Sequence, residues 1–316
     1  MNKTDILNAV KTRSKNKRLL LPTQIDFTVD EKTLKIVVEG DAVCNNMQTD
    51  SAAFEGWAMC LMAWLSEIIS KVELDWGTPH GLEGNKKLHY HRFLYRVLRF
   101  TELYDWFSVS KNRQLEVNNF KNNLVELQNN SFSEMPRLKR GKRNSLSETV
   151  VEYYFANELS ELVKKSFDLD FVDRQFPVGV KQGKEQFFTG GMSAIDLWGT
   201  KGDKVTIIEL KYNGTESTNI KVGIISELFL YSCIIRDILN GVISMPDSSP
   251  NENEMRFYEN SKEKKYTHID ARMLSDKYHP LLDNKQVIEL MNHQNRGIDD
   301  VRITYYKNTY KLLDIK

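Results

Sequence analysis

The chain has 316 residues, with 44 Lys and Arg against 43 Asp and Glu and a formal net charge of +1. That length accommodates two domains with cores of their own, and 41% hydrophobic with 28% charged residues is the composition of a soluble globular protein. No apolar run approaches a membrane span, and three scattered cysteines, Cys44, Cys60 and Cys233, without a C-x-x-C pair argue against a disulfide framework and for a reduced cytoplasm.

The first predicted feature is a basic arm of Lys11, Arg13, Lys15, Lys17 and Arg18, suited either to phosphate contact or to solubility. Leu19–Pro22 follows it and is too short for a signal-peptide core. Gln24–Val29 and Thr33–Val38 alternate apolar and polar residues around Asp30-Glu31-Lys32, which predicts a β-hairpin. Helices are expected over Asp50–Val72, with Phe54, Trp57, Leu61 and Trp64, and over Lys86–Ser108, with Phe93, Leu94, Val97 and Leu98. His89 and His91 fall in the second helix, where no acids or cysteines complete a zinc site. A polar connecting helix over Lys111–Asn130 completes an α+β domain at residues 1–130. Its role is open: guiding or gating the rest of the chain, or forming a homodimer. Residues 131–144 read as a basic linker carrying Arg137, Lys139, Arg140, Lys142 and Arg143, which would contact nucleic acid.

Beyond the linker an amphipathic helix is expected over Ser145–Lys165, capped by Asn144, Ser145 or Ser147, with Val151, Phe155, Leu159 and Leu162 as its buried stripe. Asp168–Val178 reads as a strand and Lys181–Gly191 as a loop. Ser193–Tyr212 reads as a hairpin turning through Gly199–Asp203. Side chains alternate along a strand, so Glu209 and Lys211 share a face while Leu210 points away, and Asp196 reaches that face from the partner strand. Burying two carboxylates and a lysine costs several kcal/mol unless they bind a cation or one another. For ligands that are all oxygen, a divalent metal is the usual resolution. A long helix over Thr218–Leu239 and strands over Tyr266–Leu274 and Val301–Tyr306 complete residues 145–316.

Asp196 followed by Glu209-x-Lys211 on a hairpin resembles the PD-(D/E)xK nuclease superfamily, the fold of many restriction enzymes, Holliday-junction resolvases and RecB-like nucleases. Ile195 stands where that motif has proline. The predicted order of helix, three strands, helix and strand is similar to the superfamily core. The resemblance covers the part of the chain from Ser145 onward and implies an α/β, restriction-endonuclease-like αβββαβ domain. It implies a hydrolase that cleaves phosphodiester bonds with Mg2+ or Mn2+, in DNA first and with RNA left open, in a setting such as restriction or anti-phage defence. Asp196 and Glu209 would be metal ligands and Lys211 would assist electrostatically, the role its carboxylate neighbours favour. A glutamate on the first helix often helps hold the metal in this superfamily; Glu148 and Glu152 are both candidates, with Glu148 preferred. Glu227 and Tyr231 match the spacing of the RecB-like Gln-x-x-x-Tyr motif, with Glu in place of Gln. The alternative is a nucleic-acid-binding or assembly protein that uses the same fold without catalysis.

Overall fold

The computed structural model describes residues 1–130, 147–189, 193–214, 221–247, 251–295 and 301–311. In chain order the first elements are α1 (Lys3–Ser14), β1 (Ile25–Asp30), β2 (Thr33–Val38), α2 (Phe54–Trp64), β3 (Lys71–Trp76), α3 (Gly84–Leu103), β4 (Phe107–Val109), α4 (Lys111–Asn122) and β5 (Leu127–Asn129). There follow α5 (Glu148–Ala156), α6 (Ser160–Phe167), β6 (Asp173–Pro177), β7 (Val180–Gln182), β8 (Glu185–Thr189), β9 (Ala194–Lys201) and β10 (Lys204–Lys211). The last are α7 (Gly223–Leu239), β11 (Ile243–Ser244), α8 (Glu252–Lys262), β12 (His268–Ser275), α9 (Gln286–Asn292) and β13 (Arg302–Thr309). The protein is thus a mixed α/β chain, and among the described residues no helix is long and apolar enough to cross a membrane.

Two compact units divide the chain. One comprises Met1–Leu124, Lys221–Glu227 and Tyr278–Ile298; the other comprises Val125–Ile220, Leu228–Lys277 and Asp299–Lys316. This differs from a division at a single 131–144 linker. Two later segments belong to the first unit, and β5 already belongs to the second. The basic residues Arg137, Lys139, Arg140, Lys142 and Arg143 lie outside the described residues.

The first unit holds a four-stranded sheet in the order β1-β2-β3-β4. The expected hairpin is there as β1 against β2, but β2-β3 and β3-β4 are parallel. Parallel neighbours need crossovers, and α2 and α3 supply them, so this unit is wound as α/β rather than as a hairpin with helices added. The helix expected through Val72 ends at Trp64. Past that point period-2 alternation wins: Val72, Leu74 and Trp76 are buried while Lys71, Glu73 and Asp75 are not. The helix expected to run to Asn130 likewise ends at Asn122, before β5.

The second unit is built on a five-stranded sheet in the order β13-β12-β10-β9-β6. β9 is antiparallel to both its neighbours, and β10, β12 and β13 are parallel to one another. The β9–β10 hairpin closes more tightly than expected, with Lys201 paired to Lys204 across Gly202-Asp203. Gly202 has φ +58°, the left-handed conformation that a two-residue hairpin turn favours. Gly199 answers to packing, since a Cβ there would lie 2.2 Å from the Phe171 carbonyl oxygen. The single helix expected over Ser145–Lys165 is two, α5 and α6, broken at Asn157. Ser147 caps α5 by accepting from the Val150 amide at 3.4 Å. Val151, Phe155 and Val163 from these helices pack on Leu197, Ile208, Leu210 and Leu274 of the sheet. The segment expected as a Lys181–Gly191 loop carries β7 and β8, which join β5 and β11 in a small second sheet.

Candidate active site

Every described group of the predicted site except Glu227 lies in the second unit. Ile208 and Leu210 of β10 are buried in the core under α5 and α6, so alternation turns Glu209 and Lys211 the other way. Lys211 Nζ lies 2.6 Å from Glu209 Oε1 and 3.5 Å from Glu148 Oε1. Glu148 Oε2 also accepts from the Tyr212 amide at 3.3 Å, fixing the start of α5 to the end of β10. On β9, Asp196 Oδ2 accepts from the Leu210 amide at 2.7 Å. Adjacent strands and the first turn of α5 thereby set Glu209, Lys211 and Glu148 in contact, with Asp196 near enough to Lys211 and Glu148 to feel their charge.

The two candidate helix glutamates part company here. Glu148 touches Lys211 and the strand end, whereas Glu152 is buried against Arg174, with Glu152 Oε1 3.1 Å from Arg174 Nε. Glu227 is buried and accepts a hydrogen bond from Gln48 within the first unit. Tyr231 is buried on the part of α7 that belongs to the second unit.

Among the described residues, the carboxylates of Glu148, Glu152, Asp196 and Glu209 lie near the cations of Lys211 and Arg174. Burial pushes the Asp196 carboxyl up to about 8, against Lys211, which lowers it, and with Glu148 and Glu152 adding to the rise. Burial likewise raises Glu152 to about 7 despite the Arg174 guanidinium and the Gln175 amide. In both carboxyls burial outweighs the nearby cation.

Several supporting residues carried no signal in the sequence. Tyr310 donates its hydroxyl to the Lys211 carbonyl at 3.1 Å and packs its ring edge-on to Phe155. Asp276, just past β12, accepts from the amides of Asn213 and Gly214 at 2.9 and 3.0 Å, and so clamps the chain that leaves Lys211. Arg174 and Gln175 of β6 hold Glu152. All of these act through tertiary contacts between segments far apart in sequence.

No three Asp, Glu, His or Cys side chains among the described residues converge as a ready-made ion cage; the Lys211 ammonium bridges Glu209 and Glu148 instead. The donor set still fits a hard divalent cation. It is all oxygen and it sits on a pair of adjacent strands. No family model matches this chain, and no curated protein or solved structure is significantly similar to it.

Proposed function

We propose that the second unit is a divalent-metal-dependent nuclease with a restriction-endonuclease-like core, acting on DNA, with RNA as the substrate to be tested beside it. The observation that carries this reading is the meeting of Asp196, Glu209, Lys211 and Glu148 at adjacent strand ends. Further support comes from the order of the core: helix (α5 and α6), three neighbouring strands (β6, β9, β10), helix (α7), then β12 beside β10. With β7, β8, β11 and α8 set aside, this succession is compatible with the αβββαβ order expected from the sequence periodicity.

Asp196 and Glu209 would hold the ion, and Glu148 would add an oxygen directly or through water. Mg2+ or Mn2+, when bound, supplies Lewis acidity towards the phosphoryl oxygens and a more acidic water. Lys211, released from its pairing with Glu209, orients the attacking water or offsets charge on the scissile phosphate. Glu148 and Asp276, through the Tyr212, Asn213 and Gly214 amides, keep the end of β10 in register so that Lys211 stays at the site. Restriction or anti-phage defence is the proposed setting, and the Arg137–Arg143 stretch the proposed phosphate contact.

Incubating the full chain with linear, circular and single-stranded DNA and with RNA, in Mg2+, Mn2+ or EDTA, tests this reading. Cleavage of at least one substrate that needs the metal supports it. Intact substrates under every condition, together with nucleic-acid binding, would leave the non-catalytic binding protein as the better account.

A further inference from the structure

Gln175 is a backbone anomaly at a telling position. It lies inside β6 with φ +58°, in the left-handed region that a residue other than glycine seldom occupies. The register of β6 on β9 sets Arg174 against Leu197 and Phe176 against Ile195, so Gln175 stands opposite Asp196, and the pairing is interrupted at that one position. On its other side Asp196 again stands where a ladder stops, since the β9–β10 pairing ends at Leu197 with Ile208. The Gln175 side chain leads to the same place: its Nε2 lies 3.5 Å from Oε2 of Glu152, whose other oxygen is paired with Arg174. Left-handed residues other than glycine cost free energy and persist where the surroundings impose them, and such residues gather at functional sites.

We propose that Gln175 is a positioning residue of the cation site, holding Glu152 towards Asp196 and Glu148 through its carboxamide while its backbone opens the sheet at Asp196. This rests on the nuclease reading above for the identity of the ligand and adds to it a residue outside the motif. An ion bound by the acids would then feel Gln175 through Glu152 rather than by direct contact.

The test is Mn2+ binding to the full chain, followed by the electron paramagnetic resonance of free Mn2+, beside thermal melts of the metal-free protein. Gln175→Gly keeps the left-handed backbone and removes the amide. Its melting midpoint should hold or rise, while its Mn2+ affinity falls by about 10-fold or more, the loss typical of a partner that orients metal ligands. Gln175→Asn tolerates the same backbone but shortens the side chain, and it should lose affinity as well. A double variant with Glu152→Gln should bind no more weakly than Glu152→Gln alone, because both changes interrupt one path. Wild-type Mn2+ affinity in Gln175→Gly would overturn the proposal, and additive losses in the double variant would overturn the route through Glu152. Absence of Mn2+ binding by the wild-type chain would overturn this proposal together with the nuclease reading beneath it.

Discussion

Both units bury charge, and they do so in opposite ways. In the first, Glu55 and Arg96 form a closed pair with almost no exposure. Arg96 Nε donates to Glu55 Oε1 at 2.6 Å, Ser226 Oγ donates to Glu55 Oε2 at 2.8 Å, and Arg96 Nη2 donates to the Ala52 carbonyl at 2.8 Å. One charge meets one charge, and the Ala52 carbonyl and the Ser226 hydroxyl add a hydrogen bond to each side. In the second unit, four carboxylates lie beside one lysine and one arginine among the described residues, and two of those carboxyls are pushed far above their usual range. A balanced pair is complete within the fold; on the proposed nuclease reading, the acid-rich cluster would be completed by a bound cation.

Breaking the closed pair should have the largest effect. Arg96→Leu leaves Glu55 buried without its cation, so the first unit should lose about 3–5 kcal/mol, read by chemical denaturation. A loss under about 1 kcal/mol would mean that the pair is not the tie it looks like. Neutralising the open cluster should act the other way. Asp196→Asn or Glu209→Gln should leave the melting midpoint of the metal-free protein unchanged or higher, since active-site charge is commonly held at the expense of stability. Mn2+ affinity should fall by more than about 100-fold in either variant, beyond the loss typical of an outer partner. Destabilisation comparable to that of Arg96→Leu would put Asp196 and Glu209 in the same structural class as Glu55.

The pH dependence sharpens the contrast further. Asp196 and Glu152 bind protons more tightly in the fold than in the unfolded chain, where carboxyls titrate near 4. Between about pH 4 and pH 8 the native state therefore holds more protons, and stability falls as pH rises through that window. Mg2+ held at this cluster, as proposed, would displace those protons, so its stabilising shift in melting midpoint should be greater at pH 8 than at pH 6. An equal shift at both would separate the two carboxyls from the ion. The smallest effect belongs to the surface: Arg13→Ala, which removes an ion pair with the exposed Glu67, should change stability by less than about 1 kcal/mol. A larger loss would make the hydrogen bond from Arg13 to the Trp64 carbonyl a structural anchor.

The parts of this contrast that were legible in the sequence are local ones. Alternation and a Gly-Asp turn gave the β9–β10 hairpin, and with it the shared face of Glu209 and Lys211. The Glu148-to-Lys211 contact followed only from preferring one of two glutamates a turn apart on α5. Elsewhere local pattern misled. The apolar run from Phe54 carried the expected helix across the start of β3, and continuous apolar spacing hid the break at Asn157. Nothing in the letters marks Gln175 for a left-handed backbone inside β6. Nor does composition assign Lys221–Glu227 and Tyr278–Ile298 to the first unit. Contacts such as Ser226 with Glu55, across 171 positions of chain, do so.

The most direct test of the central claim is plasmid and oligonucleotide cleavage by the wild-type chain and by Asp196→Asn, each with Mg2+ and with EDTA. Cleavage by the wild type is expected in Mg2+ alone, and none by a folded Asp196→Asn in either condition. Cleavage that survives EDTA, or wild-type turnover by Asp196→Asn in Mg2+, would contradict it.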